Sequence, residues 1–198
     1  VLAVFLVGIA IGGVLAERWL ASRHAVAIFT AAPAVIGLSS LALLPVFDRH
    51  GVQYIVVGAV AAVVAGAPIL TKDVDLLIDL SEDNLIRVLA ACTDLEATYK
   101  DPAGRRLVPD LAKLRSFRLH LLRTRLGEVD LMREIGDGWT YAELLPRSQE
   151  LDLGSARARV LDLGAVIESK RFANREKDRA VLPVLLEPLR LPKLKGDH

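Results

Sequence analysis

The stretch GAPILTKDVDLLID, residues 66–79, places two acidic side chains, Asp73 and Asp75, inside a run that otherwise has the apolar composition of a buried β-strand. Side chains alternate between the faces of a strand, so both acids share one face while Val74 and Leu76 occupy the other. Two carboxylates that close repel each other unless a cation neutralises them, and hard oxygen ligands suit magnesium. The pattern therefore indicates either a magnesium site or, more simply, a solvated strand end.

The sequence around this stretch alternates strand and helix patterns, which predicts an α/β fold. Asp79, beside Ser81, is expected to cap the next helix or to lie in solvent. The expected elements are a helix from Ser39 or Ser40 to Gly51, a strand over 52–57, a helix over 60–66, a strand over 72–79, a helix over 81–92, a hairpin over 117–132 broken at Gly127, a short helix over 141–148, a strand over 156–163 and a helical region over 163–189.

The composition indicates a globular protein without a strong global charge. The chain has 198 residues, of which 53% are hydrophobic and 25% charged, enough to bury one sizeable core. Its 25 basic and 24 acidic residues give a formal net charge of +1, so no global field attracts a polyanion. The basic run ESKRFANREKDR, residues 168–179, is a local exception. Nucleic acid as a partner is therefore neither required nor excluded.

Cysteine and histidine usage argues against a disulfide or a zinc cluster. The single cysteine, Cys92, has no second thiol in the chain with which to pair or to build a thiolate metal site. The four histidines show no spacing typical of metal ligands. These features are typical of a protein from a reducing compartment, and we expect a cytoplasmic location.

The N-terminal segment, residues 1–38, is expected to be separate from the rest of the chain. Residues 1–16 carry no charge but are shorter than the roughly 20 apolar residues that span a bilayer. They also lack the positively charged leading region of a signal peptide. Two interpretations stay open: an extra buried helix, or a membrane anchor that Arg18 and Arg23 would orient with the following domain in the cytoplasm.

Two further features add to the acidic pair. Gly58 and Ala59 lie where a predicted strand passes into a helix, and small residues there allow backbone N–H groups to approach a phosphate. The alternative is a glycine needed only for a steric turn. Asp130, in GEVDLM, is a third carboxylate in an apolar strand context and could complete a metal site. The alternative for Asp130 is an ordinary ion pair with Arg123 or Arg125.

The combination of a strand, Gly58-Ala59, a short helix, the Asp73-x-Asp75 strand and the later Asp130 resembles the nucleotidyltransferase fold of the polymerase beta superfamily. The C-terminal stretch VLDLGAVIESKRFANREKDRAVLP, residues 160–183, is similar to the corresponding part of AbiEii-like and MenT-like toxin nucleotidyltransferases. The resemblance covers about residues 40–190. It implies a mixed central sheet flanked by helices, with a core over 39–135 and a helical C-terminal region over 136–198 that completes the active site.

The resemblance also implies roles for individual residues. Asp73 and Asp75 would hold magnesium on the triphosphate of an NTP, and Asp130 would bind a second ion or accept the proton of the attacking hydroxyl. Lys170 lies four residues after Val166, so in a helix both would share the inward face. The residues implied to contact the nucleotide are Gly58, Ala59, Lys170, Arg175 and Asp178. For Lys170 and Asp178 the alternative is a structural ion pair, and for Arg175 it is a solvated helix face.

The function implied by the resemblance is magnesium-dependent transfer of a nucleoside monophosphate from an NTP, such as ATP, to an acceptor hydroxyl. Toxin relatives suggest tRNA as the acceptor and a cognate antitoxin as a partner. One departure matters, because Ala59 stands where the family usually has glycine or serine. A catalytically degenerate module that binds a nucleotide or a protein partner is therefore the alternative. The sequence specifies neither the base of the donor nor the acceptor.

Overall fold

The computed structural model describes residues 41–69, 71–154 and 156–190. The predicted N-terminal segment, with its alternative of a membrane anchor, lies outside these ranges, as do Ser39 and Ser40. Within the described ranges, no helix combines the length and the apolar character that a membrane span requires. The predicted boundary between residues 135 and 136 stays a prediction.

Helices and strands alternate along most of the described chain. In order, they are α1 Leu44–Arg49, β1 Tyr54–Val57, α2 Gly58–Val64, β2 Asp73–Ile78, α3 Glu82–Asp94, β3 Thr98–Tyr99, α4 Leu111–Ser116, β4 Leu119–Thr124, β5 Gly127–Met132, β6 Glu134–Ile135, β7 Trp139–Thr140, α5 Tyr141–Leu144, a 3₁₀ turn Leu145–Arg147, β8 Ser148–Asp152, β9 Arg157–Leu161, α6 Leu163–Ala173 and α7 Glu176–Arg190.

In the described part of the chain, seven strands form one mixed sheet in the order β3-β4-β5-β2-β1-β9-β8. Strand β2 is antiparallel to β1 and parallel to β5, and β1 is parallel to β9. The remaining neighbours, β3 with β4, β4 with β5 and β8 with β9, are antiparallel. A separate pair, β6 and β7, is also antiparallel. The predicted mixed sheet and α/β class are therefore confirmed.

Most predicted elements are present, with shifted ends. The hairpin broken at Gly127 is confirmed by the pairing of β4 with β5. Helix α1 begins only at Leu44, since Pro45 is tolerated in a first helical turn, where its missing N–H is not needed. Helix α2 begins at Gly58, two residues before the predicted start, because β1 passes into it without a linker.

Three stretches differ from the prediction. The short helix expected over 141–148 ends as a 3₁₀ turn, and Ser148 already starts the unpredicted edge strand β8. The turn-rich segment before β4, where no helix was predicted, contains α4. The side chain of Asp110 caps the N-terminus of α4 by accepting a hydrogen bond from the Lys113 N–H at 2.8 Å. The C-terminal helical region divides at Asn174, which adopts a left-handed conformation with φ of 47°.

Buried apolar side chains on both faces of the sheet form the core. On β2, Val74, Leu76 and Ile78 are completely buried on the face opposite the aspartates. Helix α3 is fastened to the ends of β1 and β2 by the buried amide of Asn84, which accepts from the Gln53 N–H at 2.7 Å and donates to the Asp79 carbonyl at 2.8 Å. These backbone groups would otherwise lack partners, so Asn84 fixes the ends of β1 and β2 that lie away from Asp73 and Asp75.

Candidate active site

Four acidic side chains lie on one face of the sheet, at the junction of β2 and β5. The two strands are parallel, and their register places Asp73 opposite Glu128 and Asp75 opposite Asp130. Residues opposite each other on neighbouring strands point to the same side, so the four carboxylates form a two-by-two arrangement, called the acid grid below. Asp130 is thus on the same side of the sheet as Asp73 and Asp75, where a shared cation could reach them.

Asp75 has the most perturbed environment of the grid. Burial, together with the negative charges of Asp73 and Asp130, raises the pKa of Asp75 to about 7, although Lys170 and a hydrogen bond from the Ala59 N–H oppose the rise. The carboxylate is therefore protonated in a substantial fraction of molecules at neutral pH when no cation is bound. A nearby positive charge would strongly favour the ionised form of Asp75.

Gly58 is required where β1 turns into α2. Its φ is +64°, a left-handed conformation that favours glycine. A Cβ atom at this position would lie 1.9 Å from Oδ2 of Asp75 and 2.7 Å from its Cγ. The glycine therefore makes room for Asp75. The next residue, Ala59, directs its N–H to that same carboxylate, so in this structure the turn supports Asp75 as well as offering a small surface to a ligand.

Asp130 is paired with Lys100, which the sequence analysis did not consider. The Lys100 Nζ lies 3.0 Å from Oδ1 of Asp130 and 3.2 Å from Oε2 of Glu128. The alternative pairing of Asp130 with Arg123 or Arg125 is wrong. Arg123 lies 3.7 Å from Glu128, and Arg125 pairs with an acid at the end of α3 instead. The register explains this, because Arg123 is opposite Glu128 and not opposite Asp130.

The local environments of the other acids also differ. Burial raises the pKa of Asp130, and Lys100 opposes that rise. Asp73 is half-buried, and its Oδ1 accepts a hydrogen bond from the Thr71 hydroxyl at 2.9 Å. Asp79 lies beyond the strand and accepts a hydrogen bond from the Ser81 N–H at 3.2 Å, as expected for a residue that serves the start of α3.

Lys170, Arg175 and Asp178 form a cluster between α6 and α7. The Asp178 side chain is 1% exposed; its Oδ1 lies 3.3 Å from the Lys170 Nζ, and its Oδ2 lies 2.6 Å from the Arg175 Nε. The charge of Lys170 also acts on Asp75, where it opposes the rise of the pKa. Asp178 thus holds Lys170 at the edge of the grid, whereas the Arg175 side chain is mostly exposed.

The acid grid fits a divalent cation by its donor chemistry. Four carboxylates on one face supply the hard oxygen ligands that Mg²⁺ prefers. Within the described ranges, however, no three His, Cys, Asp or Glu side chains have their ligating atoms close enough together to hold a metal ion. The ammonium of Lys100 contacts one oxygen of Asp130, and that oxygen is one that a metal would need.

The acid face is open to solvent on the β4 side. Leu121 is opposite Asp130 in the antiparallel pair and is 40% exposed, and Leu119 on the same face is 46% exposed. Alternate residues of β4, such as His120 and Leu122, are completely buried on the other face. The exposed leucines of β4 therefore border the acid face, whereas Asp130 itself is only 8% exposed.

Solved structures with the same architecture decide the fold. The antibiotic-resistance factor ANT(2'')-Ia, in its solution structure, superposes with a TM-score of 0.51 at 12% identity, covering 80% of this chain and 86% of its own. The fold is that of a nucleotidyltransferase. Another structure of that factor, in complex with adenylyl-2''-tobramycin, gives a TM-score of 0.48 at 12% identity over 74% of this chain and 85% of its own.

A nucleotidyltransferase-like antigenic protein from Paracoccidioides brasiliensis gives a TM-score of 0.44 at 16% identity, over 79% of this chain and 78% of its own. No protein-family model matches the sequence, and neither does any curated protein. The nucleotidyltransferase fold is therefore carried by backbone architecture and not by overall sequence similarity.

Two residues of the candidate site were missed from the sequence. Glu128 could have been found, because Glu128-Val129-Asp130 repeats the spacing of Asp73-Val74-Asp75 and so puts two acids on one strand face. Lys100 gave no comparable signal. It lies in a turn-rich segment, and its contact with Asp130 depends on the pairing of β3 with β4.

Replacing Asp178 by asparagine is expected to lower the free energy of unfolding by about 2 kcal/mol, because two cations lose their buried counter-charge. Lys170 and Arg175 keep the pKa of Asp178 below its ordinary value of 3.8, although burial opposes this. The stabilisation is therefore present above pH 4 and is lost as the pH falls through the lowered value. Urea unfolding of parent and variant between pH 3 and pH 7 measures the difference.

The matched control for this prediction is Arg175→Ala. The Arg175 side chain is 61% exposed, so its removal is expected to cost less than about 1 kcal/mol. Equal losses for Asp178→Asn and Arg175→Ala at pH 7 would show that Asp178 is not the anchor of Lys170.

Proposed function

We propose that the chain is an NTP-dependent nucleotidyltransferase that transfers a nucleoside monophosphate to an acceptor hydroxyl. The observation that supports this most directly is the register of β2 and β5, which sets Asp75 opposite Asp130 on one face of a nucleotidyltransferase fold. Lys170, held by Asp178, places a positive charge near the same carboxylates. Acids with raised pKa values beside a fixed cation are typical of catalytic sites.

Asp73 and Asp75 are the residues proposed to hold Mg²⁺, together with Asp130. A bound Mg²⁺ would neutralise the carboxylates and the phosphate charge of the NTP. Lys170 is proposed to contact a phosphate oxygen, with Asp178 fixing its direction. Gly58, Ala59 and Arg175 stay predicted nucleotide contacts. The Ala59 N–H and the Arg175 side chain already have partners in the protein, so they would have to exchange them for the nucleotide.

The proposed reaction is an in-line displacement at the α-phosphorus of the NTP. The acceptor oxygen forms a bond to the α-phosphorus as the bond from that phosphorus to the bridging oxygen breaks, and pyrophosphate leaves. The proton of the acceptor hydroxyl goes to a carboxylate oxygen of Asp130. Asp130 suits this role because burial raises its pKa, which makes it a better proton acceptor than an exposed aspartate.

The acceptor is proposed to be an RNA, with tRNA as the first candidate, and the protein to be the toxin of a toxin-antitoxin pair. This finer assignment depends on the similarity of residues 160–183 to AbiEii-like and MenT-like sequences and on the basic run over 168–179. Phe172, in the middle of that run, is 56% exposed, and a nucleic-acid base could stack on it.

The test is a transfer assay with purified protein, Mg²⁺, total RNA and each labelled NTP in turn. We expect the parent to label RNA with one NTP preferentially, and the double variant Asp73→Asn/Asp75→Asn to label nothing. The control variant Asp83→Asn removes an exposed acid in the first turn of α3 and is expected to keep activity. Transfer by the double variant at the parental rate would refute the assignment of the acid grid as the active site.

A second candidate, a nucleotide-binding module without catalysis, is favoured by one observation. In the described ranges no three acids converge on a metal position, and Lys100 engages Asp130. Equilibrium dialysis with labelled NTP separates the candidates. Nucleotide binding by the parent without transfer to RNA, protein or small hydroxyl compounds would identify the module.

A further inference from the structure

Lys100 is the cation that contacts both acids of the β5 half of the acid grid. Its Nζ bridges Asp130 at 3.0 Å and Glu128 at 3.2 Å, and its side chain is only 21% exposed. Its backbone N–H donates to the Leu121 carbonyl at 2.9 Å, which fixes the residue beside β4. The bridge is thus built into the sheet edge and is not a chance contact of a surface lysine.

The other half of the grid is treated differently. Asp73 receives a hydrogen bond from the neutral hydroxyl of Thr71. Asp75 receives a backbone N–H from Ala59 and feels Lys170 at longer range, since the ammonium of Lys170 is bonded to Asp178. The β2 acids therefore keep much of their mutual repulsion, whereas the β5 acids are neutralised by an ammonium group.

An ammonium and a divalent cation compete for the same carboxylate oxygens. Lysine carries its charge on a flexible four-carbon stem, so Lys100 can release Asp130 without a change in the backbone. If Lys100 withdraws, its charge is left beside the position where the proposed function places an NTP triphosphate. Phosphate oxygens are then the natural new partners for this ammonium.

We propose that Lys100 is an exchangeable counter-ion of the acid grid. It neutralises Asp130 and Glu128 in the metal-free protein, leaves Asp130 when a divalent cation binds, and then contacts the phosphates of the incoming nucleotide. Lys100 is thus a positioning residue that couples binding of metal to binding of nucleotide. This inference rests on the proposed function, because it takes Asp130 as part of the metal site.

The test is calorimetric titration of Mn²⁺ into the full-length protein without nucleotide. Removing the competing charge with Lys100→Met is expected to tighten Mn²⁺ binding about tenfold, within the usual range of coupling between two sites. The control is Arg123→Met, which removes another cation near Glu128 that is 70% exposed and pairs at 3.7 Å. We expect this control to change Mn²⁺ affinity less than about twofold.

A second titration measures the coupling itself. With a saturating non-hydrolysable NTP analogue present, the parent is expected to bind Mn²⁺ more tightly than without it, and Lys100→Met is expected to lose most of this gain. If Lys100→Met does not fold, as judged by circular dichroism, Lys100→Gln replaces it. Unchanged or weaker Mn²⁺ binding by a folded Lys100 variant, without nucleotide, would overturn the inference.

Failure of the inference can be told apart from failure of the proposed function. Asp75→Asn is titrated alongside as a probe of the acid grid. Loss of Mn²⁺ binding in Asp75→Asn, with parental affinity in Lys100→Met, would overturn only the role of Lys100. Equal Mn²⁺ binding, or none, by the parent and Asp75→Asn would overturn the proposed metal site and the inference with it.

Discussion

Replacing Asp75 by asparagine is expected to reduce nucleotidyl transfer at least about a thousandfold, because several kcal/mol of charge stabilisation at a metal site depend on its carboxylate. The same change is expected to stabilise the metal-free protein. A pKa raised to about 7 corresponds to a penalty of about 4 kcal/mol for ionised Asp75 well above neutral pH. Burying the asparagine amide also costs free energy. We therefore expect the free energy of unfolding of Asp75→Asn to exceed that of the metal-free parent by about 2 kcal/mol.

The pH dependence gives this prediction a clear sign. The pKa of Asp75 is higher in the folded protein than in the unfolded chain, so the metal-free parent loses stability as the pH rises from about 4 to about 7. The increase in the free energy of unfolding caused by Asp75→Asn should therefore be small at pH 4 and reach its full value by pH 8. Urea unfolding in the presence of a chelator measures it at each pH.

Two controls accompany the Asp75 variant. Adding Mg²⁺ should stabilise the parent and not Asp75→Asn, since the variant lacks one of the proposed metal ligands. Asp83→Asn, which changes an exposed acid of α3, should alter neither activity nor the pH profile. An Asp75→Asn protein that is less stable than the parent at pH 8 would show that the charge of Asp75 does not destabilise the folded protein.

Replacing Gly58 by alanine is expected to lower the free energy of unfolding by about 3 kcal/mol or more and to abolish transfer. A left-handed conformation costs a residue with a Cβ about 1–2 kcal/mol, and the new Cβ would also overlap the Asp75 carboxylate at 1.9 Å. The carboxylate must therefore move, which disrupts the acid grid. Thermal unfolding and the transfer assay measure the two effects.

Gly104→Ala is the matched control, because the chain offers a second glycine with similar φ and no neighbours. Gly104 has a φ of +71°, and a Cβ there would meet no atom within 4 Å. Replacing Gly104 by alanine should lower the free energy of unfolding by only about 1 kcal/mol, the cost of the left-handed conformation, and should leave activity intact. Similar losses for Gly58→Ala and Gly104→Ala would mean that Asp75 adapts easily and that the close approach is unimportant.

A double variant tests whether the overlap with Asp75 causes the loss. In an Asp75→Ala background the atoms at 1.9 and 2.7 Å from the new Cβ are absent, so Gly58→Ala should cost less there. Residues in direct contact are expected to show such non-additivity. A cost that is the same in both backgrounds would assign the effect to the backbone conformation of Gly58 alone.

Elements with strong periodicity were predicted from the sequence, and elements at the sheet edges were not. The hairpin of β4 and β5 has apolar residues in both strands and a glycine, Gly127, at the start of β5, so local patterns suffice. Strand β8, SQELD, has one apolar residue because it pairs only with β9 and faces solvent. A polar edge strand has no buried face and hence no alternating pattern.

The sequence likewise carries no clear local signal for α4 or for the end of α6. Helix α4 has six residues and follows Pro109, so its sequence resembles a turn until the Asp110 cap is seen. The break at Asn174 depends on one residue in a left-handed conformation, which asparagine tolerates but does not require. Such ends are set by the packing of α6 against α7.

The sequence by itself determined that Asp73 and Asp75 share a face, because alternation along a strand is a local property of the backbone. Only the tertiary structure decided that Asp130 and Glu128 lie beside them and that Lys100 bridges the second pair. The register of β2 against β5 joins residues more than fifty positions apart, and it is fixed by burial of the opposite face. A slip by one residue would turn Asp130 into the core, and no local pattern in the sequence measures that register.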